Sequence, residues 1–124
     1  MPEPLFSVRG LRKVFGDGTE ALAGVDLDIR EGECLVIAGS NGSGKTVLMR
    51  ILLGLIEATE GTLRFRGGER DAAGAAARRA VGLVFQDADA QILGDTVEDD
   101  VAFGPRNLGM PAEEAARRVE AALA

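Results

Sequence analysis

The sequence predicts an α/β fold, and three observations carry that prediction. Short alternating and apolar runs of strand character fill most of residues 5–38. The continuously apolar run Cys34-Leu35-Val36-Ile37-Ala38 then passes through a glycine-rich loop into a stretch of helical periodicity. Beyond residue 86 the chain turns acid-rich and helix-forming. Strands, then a strand–loop–helix unit, then helices is the order of an α/β layout. A length of 124 residues suits one domain or part of one. With 46% hydrophobic and 27% charged residues the composition is globular and excludes a wholly disordered chain.

Each element has its own signal. Leu5-Phe6-Ser7-Val8 and Leu11-Arg12-Lys13-Val14-Phe15 read as two short strands, followed by the turn Gly16-Asp17-Gly18. Val25, Leu27 and Ile29 alternate with Asp26, Asp28 and Arg30, the period of a half-exposed strand. Residues 34–38 read as a strand buried on both faces, with Cys34 in the core. Val47, Leu48, Ile51, Leu52 and Leu55 form one stripe of a helix. Thr62-Leu63-Arg64-Phe65-Arg66 alternates and stops at Gly67-Gly68. Residues 71–80 predict a short helix weakened by Gly74, and 81–85 a second core-type strand. Thr96 with Asp99 three residues on predicts a helix start. Pro111, Glu113 and Glu114 open a last helix with Ala115, Val119 and Ala122/Leu123 as its apolar stripe, and nothing in the sequence offers that stripe a packing partner.

Composition narrows the function classes. The net charge of −6 argues against a nucleic-acid partner, which calls for a basic patch. A lone cysteine cannot form an internal disulfide and fits a reducing compartment. The longest apolar runs hold only a few residues, against about 18 for a membrane span. Met1-Pro2-Glu3-Pro4 does not begin a signal peptide, so a membrane would be reached through a partner. Glycine, at 17 residues, is about twice its average usage, which predicts tight turns or close backbone approach to a ligand.

The strongest motif is Gly39-Ser40-Asn41-Gly42-Ser43-Gly44-Lys45-Thr46, which matches G-x-x-x-x-G-K-[ST]. It leaves a predicted strand and opens a predicted helix, the context a phosphate-binding loop requires. Glycines let successive N–H groups turn toward one anion, and the helix N-terminus adds partial positive charge. Lys45 is placed to reach the β/γ-phosphates and the Thr46 hydroxyl to ligate Mg²⁺. The glycine order differs from the dinucleotide fingerprint G-x-G-x-x-G.

The whole chain resembles the first half of an ATP-binding cassette (ABC) ATPase, the energy subunit of ABC transporters. Three segments carry the resemblance: Phe15-Gly16, the narrower loop form G-x-x-G-x-G-K-[ST] with its middle Gly42, and Val81-Gly82-Leu83-Val84-Phe85-Gln86. The resemblance implies a P-loop NTPase core with an N-terminal antiparallel β subdomain and the start of an α-helical subdomain, truncated. Residues 1–86 would be the ATP-binding part, and 87–124 the Q-loop and the start of the helical subdomain. It further implies ATP and Mg²⁺ as ligands, Phe15 stacking on adenine, and Gln86 touching Mg²⁺ and the attacking water. Lys45 and Gln86 would be the catalytic residues present. Phe85 to Leu93, Thr96 to Pro105, and Asn107-Leu108-Gly109 with Pro111 look like the energy-coupling factor importers of vitamins and transition-metal ions. The implied partners are a second ATPase subunit, a transmembrane coupling subunit and a substrate-binding membrane subunit, at the cytoplasmic face of the membrane. The six acids of residues 87–105 read either as a solvated face or as a surface for a basic helix of the membrane subunit.

Three family features are absent: the L-S-G-G-Q signature, the second acidic motif and the switch histidine, since the chain has no histidine. Truncation accounts for all three. Residues 1–124 alone are therefore expected to bind nucleotide weakly, hydrolyse none, and be poorly soluble or loosely folded because strand edges lie open. The alternatives are another P-loop kinase or GTPase, or a non-catalytic nucleotide-binding fragment. Neither asparagine, Asn41 or Asn107, is followed by the lysine of the guanine motif N-K-x-D.

Overall fold

The computed structural model describes residues 3–68, 70–87 and 89–124, with only the backbone of 70–74. Met1, Pro2 and Ala88, used in reading the N-terminus and the 85–93 motif, lie outside the described residues. The chain divides into two compact units, Met1–Gly82 and Leu83–Ala124.

A three-stranded antiparallel sheet organises the first unit, built from β1 (Phe6–Val14), β2 (Glu20–Ile29) and β3 (Glu60–Phe65) in the order β2-β1-β3. The two predicted N-terminal strands are one strand with a bulge. Val8 pairs with Leu27 and Leu11 with Val25, so β1 carries one extra residue between them. That insertion, with Gly10 at φ 56°, returns Leu11 to the face of Phe6 and Val8, and all three are buried. Asp26 accepts a hydrogen bond from the Gly10 N–H at 2.6 Å, which satisfies the donor the bulge frees from the ladder. On the solvent side Arg12 bridges Glu20 of β2 (2.9 Å) and Glu60 of β3 (3.2 Å) across β1. These exposed pairs set register more than they add stability.

Helix α1 (Lys45–Leu52) lays Leu48, Ile51 and Leu52 against the apolar face of the sheet, in one core with Phe6, Val8, Leu11, Leu22, Leu63, Phe65 and Ala77. The Phe6 and Phe65 rings meet at 4.8 Å between centroids, tilted by 44°. Helix α2 (Arg70–Ala80) contributes Ala77, and its Arg78 donates to the Gly54 carbonyl at 2.7 Å, in the turn that ends α1. Leu55, placed on the helical stripe by periodicity, follows that turn and is exposed.

Two sequence expectations fail here. Residues 34–38 and 81–85 are not strands: among the described residues neither joins a ladder. Val36 and Val84 are each 82% exposed, and Cys34, expected in the core, is exposed. A continuously apolar run becomes a core strand only when neighbours occupy both its edges and both its faces, and the described residues supply none.

In the second unit, α3 (Val97–Asn107) and α4 (Ala112–Leu123) form a helical hairpin. Thr96 caps α3 as its spacing predicts, accepting from the Asp99 N–H at 3.1 Å, and Glu98, Asp99 and Asp100 occupy the positive end of the helix. Contrary to expectation, α4 has a partner. Its Ala115 and Val119 are buried in a crease bordered by Ala102 and Arg106 of α3, while Leu123 stays exposed. Small residues at 102 and 115 let the two helices approach closely. Asp100 also reaches back, accepting from the N–H groups of Leu93 (2.7 Å) and Gly94 (3.1 Å). These two bonds hold its carboxyl below the usual carboxylate range, with the Leu93 bond the larger cause.

At Gly61, φ is +99° and an added Cβ would lie 2.5 Å from the Gly10 carbonyl oxygen and 2.7 Å from Leu11 Cα. We expect Gly61→Ala to lower the unfolding free energy by about 2 kcal/mol or more through left-handed strain and backbone displacement. Gly18→Ala, at φ +87° but with open space around it, should cost only the strain, about 1 kcal/mol. Paired urea midpoints check the difference. For Asp100, a folded pKa below the unfolded one means that its tether is complete above about pH 4. The tether is lost as pH falls through the lower folded value. Amide exchange at Leu93 and Gly94, corrected for intrinsic rates, should quicken on that descent and lose its pH dependence in Asp100→Asn.

Candidate nucleotide site

The predicted phosphate loop is one structural feature. It runs from Gly39 to Thr46 and opens α1 as expected, although residues 34–38 before it form no strand. Gly42 and Gly44 adopt φ of 82° and 95°, and Ser43 N–H donates to the Ser40 carbonyl at 3.1 Å, closing the turn. Left-handed backbone at these two positions is what glycine permits at no steric cost.

Lys45 is the centre of the loop. Its ammonium donates to the carbonyls of Gly39 and Ser40 (2.9 Å for the latter) and lies 3.4 Å from Ser43 Oγ. Three acceptors match the three donors of an ammonium, so the charge is aimed into the concave side of the loop. The loop is close-packed at its start: a Cβ on Gly39 would sit 2.6 Å from Ser43 Oγ, so the serine hydroxyl would have to turn away. At its other end a Cβ on Gly44 would meet the Ala21 carbonyl oxygen at 2.4 Å. The loop is therefore seated directly on β2, a contact that the spacing of the motif does not reveal.

The electrostatics favour an anion. The α1 N-cap, Gly44, makes no side-chain cap bond, and the first turn carries no acid. The amide donors at that end face no competing carboxylate and no capping oxygen, which leaves the positive end of the helix for phosphate oxygens. Thr46 is exposed beside Lys45. Among the described residues no three or more His, Cys, Asp or Glu side chains gather to hold a metal. The Thr46 hydroxyl with phosphate oxygens suits the Mg²⁺ habit of binding through few protein ligands and the substrate's phosphates. The cradle that a Cβ would fill and this donor set fit a magnesium–triphosphate ligand.

Phe15 stands at the tip of the β1–β2 hairpin, half exposed, with the Lys13 ammonium 5.2 Å from its ring centroid. Its N–H donates to the Thr19 carbonyl at 2.9 Å, which holds the tip. Because Val14 pairs with Glu20 and Ala21 touches Gly44, this tip lies at the end of the hairpin nearest the loop. The structure thus places Phe15 and residues 39–46 in one unit. Gln86 is exposed and belongs to the second unit.

Sequence reasoning missed two contributors. Ala21 supports the loop through its backbone, so side-chain pattern carries no trace of it. Gln91 bonds the backbone on either side of Val84, accepting from the Phe85 N–H (2.8 Å) and donating to the Leu83 carbonyl (2.9 Å). Its only signal was a place in the Phe85-to-Leu93 motif.

Comparison with known proteins agrees with this geometry. A family model described as ABC transporter matches residues 22–124. A provisionally named ABC transporter ATP-binding protein of Halobacterium salinarum is 48% identical over 119 residues, covering 96% of this chain and 51% of that protein. The energy-coupling factor transporter ATP-binding protein EcfA1 of Enterococcus faecalis is 45% identical over 108 residues, covering 86% of this chain and 39% of its own length. The solved structure of cbiO1 from Clostridium perfringens, part of the ABC transporter complex cbiONQ, superposes with a TM-score of 0.84 at 33% identity. That match covers 98% of this chain and 49% of the other. The ATP-binding cassette MJ0796, a dimer in a post-hydrolysis state with ADP and phosphate, superposes at 0.74 with 25% identity over 92% of this chain and 53% of its own. The chain spans about half the length of the relatives it matches. These matches displace the kinase and GTPase alternatives. A phosphate loop seated on an antiparallel hairpin, and a family match running from that hairpin to residue 124, lead to one conclusion: the chain belongs to the ATP-binding family of ABC transporters.

Proposed function

We propose that these residues form the nucleotide-binding half of the ATPase subunit of an energy-coupling factor importer, which couples ATP binding and hydrolysis to uptake of a vitamin or a transition-metal ion. The observation that carries this reading is the Lys45 ammonium bonded to the loop's own carbonyls, in a loop whose helix end at Gly44 is left-handed and lies against the Ala21 backbone. The likeness to EcfA1 and to cbiO1, part of the cbiONQ complex, supports the importer type.

In this reading the γ- and β-phosphates replace the Gly39 and Ser40 carbonyls as partners of Lys45. The exchange favours the nucleotide because a phosphate oxygen carries charge where a carbonyl carries only a dipole. The amides of the loop and of the first turn of α1 orient the remaining phosphate oxygens. Mg²⁺, when bound, neutralises phosphate charge, and Thr46 and Gln86 would hold it. Phe15 offers adenine a stacking surface at the hairpin tip. Residues 1–86 carry the ATP-binding part, and 87–124 the Q-loop and first helices that meet the membrane partner. Two such subunits close over two nucleotides, and the movement of Gln86 and the following helices passes to a transmembrane coupling subunit and its substrate-binding partner. That assembly sits at the cytoplasmic face of the membrane. No helix among the described residues is long and apolar enough to cross the bilayer itself. In this reading residues 1–124 alone bind nucleotide without turning it over, because the catalytic carboxylate of the second acidic motif and the L-S-G-G-Q signature are absent from them.

Equilibrium binding of labelled Mg·ATP tests the cradle. Lys45→Ala should weaken binding by about tenfold to a hundredfold, the worth of a charge-assisted bond to phosphate. Gly44→Ala should weaken it as strongly without removing any charge, by lifting the loop off Ala21. Equal affinity in wild type and both variants would remove the phosphate loop from the function. Phosphate release by residues 1–124 should stay at the level of the Lys45→Ala control, and turnover that this substitution abolishes would show the half-subunit to be an enzyme by itself.

A further inference from the structure

We propose that Gln91 is a positioning residue for Gln86, its side-chain amide bonding the backbone on either side of Val84. In an extended segment the carbonyl of one residue and the N–H of the residue two further on point to the same edge, and an adjacent strand pairs with both. Residues 81–85 have no such strand among the described residues, yet the Leu83 carbonyl and Phe85 N–H are both satisfied. A single carboxamide does it: Gln91 Nε2 donates to Leu83 O at 2.9 Å, and Gln91 Oε1 accepts from Phe85 N–H at 2.8 Å. A primary amide presents the same donor and acceptor as a peptide group, and the two partners leave only one orientation of it.

The clamp has a mechanical consequence. Gln91 holds the two peptide planes that flank Val84, and Gln86 follows one residue beyond the second of them. The chain between clamp and clamping residue is short, and it is folded by the Asp89–Gln91 3-10 turn, in which Ile92 N–H donates to the Asp89 carbonyl at 3.2 Å. Two residues past the clamp, Leu93 and Gly94 are tied to Asp100 of α3. The Gln86 segment is thereby fixed at both ends, by an amide upstream and a carboxylate downstream. A shift of Gln86 along the chain must either break the Gln91 bonds or move the Leu93–Asp100 link with it. Neither alanine nor glutamate at 91 reproduces the clamp: alanine lacks both groups, and an ionised glutamate keeps the acceptor but sets a charge against the Leu83 carbonyl.

This inference rests on the reading of Gln86 as the residue that meets metal and water. Its test therefore separates the two, using the complete ATPase assembled with its membrane partner. Gln91→Ala should lower kcat for ATP hydrolysis about tenfold, the scale of a misplaced catalytic group, with the KM for ATP and the melting temperature close to wild type. Gln86→Ala should also lower kcat, and the double variant should fall no further than Gln86→Ala, because a residue that acts through another adds nothing once that residue is gone. Hydrogen exchange at the Phe85 amide should quicken at least about tenfold in Gln91→Ala, as loss of a protecting hydrogen bond requires. Multiplying losses in the double variant, or unchanged exchange in Gln91→Ala, would overturn the positioning role. If Gln86→Ala leaves kcat unchanged, the reading of Gln86 fails instead, and the exchange result alone decides whether the clamp exists.

Discussion

One ammonium group held among uncharged acceptors of its own loop is the constraint on which the rest depends. Lys45 faces the Gly39 and Ser40 carbonyls and the Ser43 hydroxyl, with no carboxylate in the first helical turn to neutralise it. A positive charge paired only with dipoles can exchange them for a stronger partner at little cost, because nothing ionic has to be broken. The same cation paired with an acid would need that pair separated first. The value of the loop lies as much in the lack of an acid in the first turn of α1 as in the lysine that is present.

The loop holds its shape because it is built on something rigid. Gly44 rests against the Ala21 backbone, and Ala21 belongs to β2, which is zipped to β1 and through it to β3. The sheet reaches the loop with its apolar face intact only because the bulge at Gly10 rotates Leu11 back into line with Phe6 and Val8. Gly61 then lets β3 pass close to that bulge. Three glycines at left-handed φ, far apart in sequence, thus hold one surface together: Gly10 re-aims the core, Gly61 admits the third strand, and Gly44 seats the phosphate loop.

The apolar runs on which the sequence leans most heavily are the ones least satisfied. Val36 and Val84 lie open to solvent, and the hydrogen-bonding edge of residues 83–85 is met by a side-chain amide. A chain that spans about half the length of its relatives carries strand-like sequence whose pairing residues are not among those described. The helical hairpin behaves differently: α3 and α4 bury Ala102, Ala115 and Val119 against each other within the second unit. Local partners complete a helix pair, whereas a parallel strand depends on residues remote in sequence.

Local chemistry was open to reading along the chain. The order of glycines and lysine at 39–46, the Thr96 cap, the alternation at 25–29 and 62–66, and the acidic start of α3 each depend on neighbours within a few residues. Backbone conformation there follows from side-chain type. The loop at 39–46 and the run from Val81 to Gln86 resembled the ABC family in sequence alone. Tertiary structure alone decided the rest. It joined two short strands through a bulge, kept Cys34 and residues 34–38 out of the three-stranded sheet, gave α4 a partner, set the loop on Ala21, and turned Gln91 back onto Leu83 and Phe85. The physical reason is common to all five. Each depends on which backbone groups and surfaces meet across the fold, and periodicity reports only which face a residue prefers, not whether anything arrives to cover it.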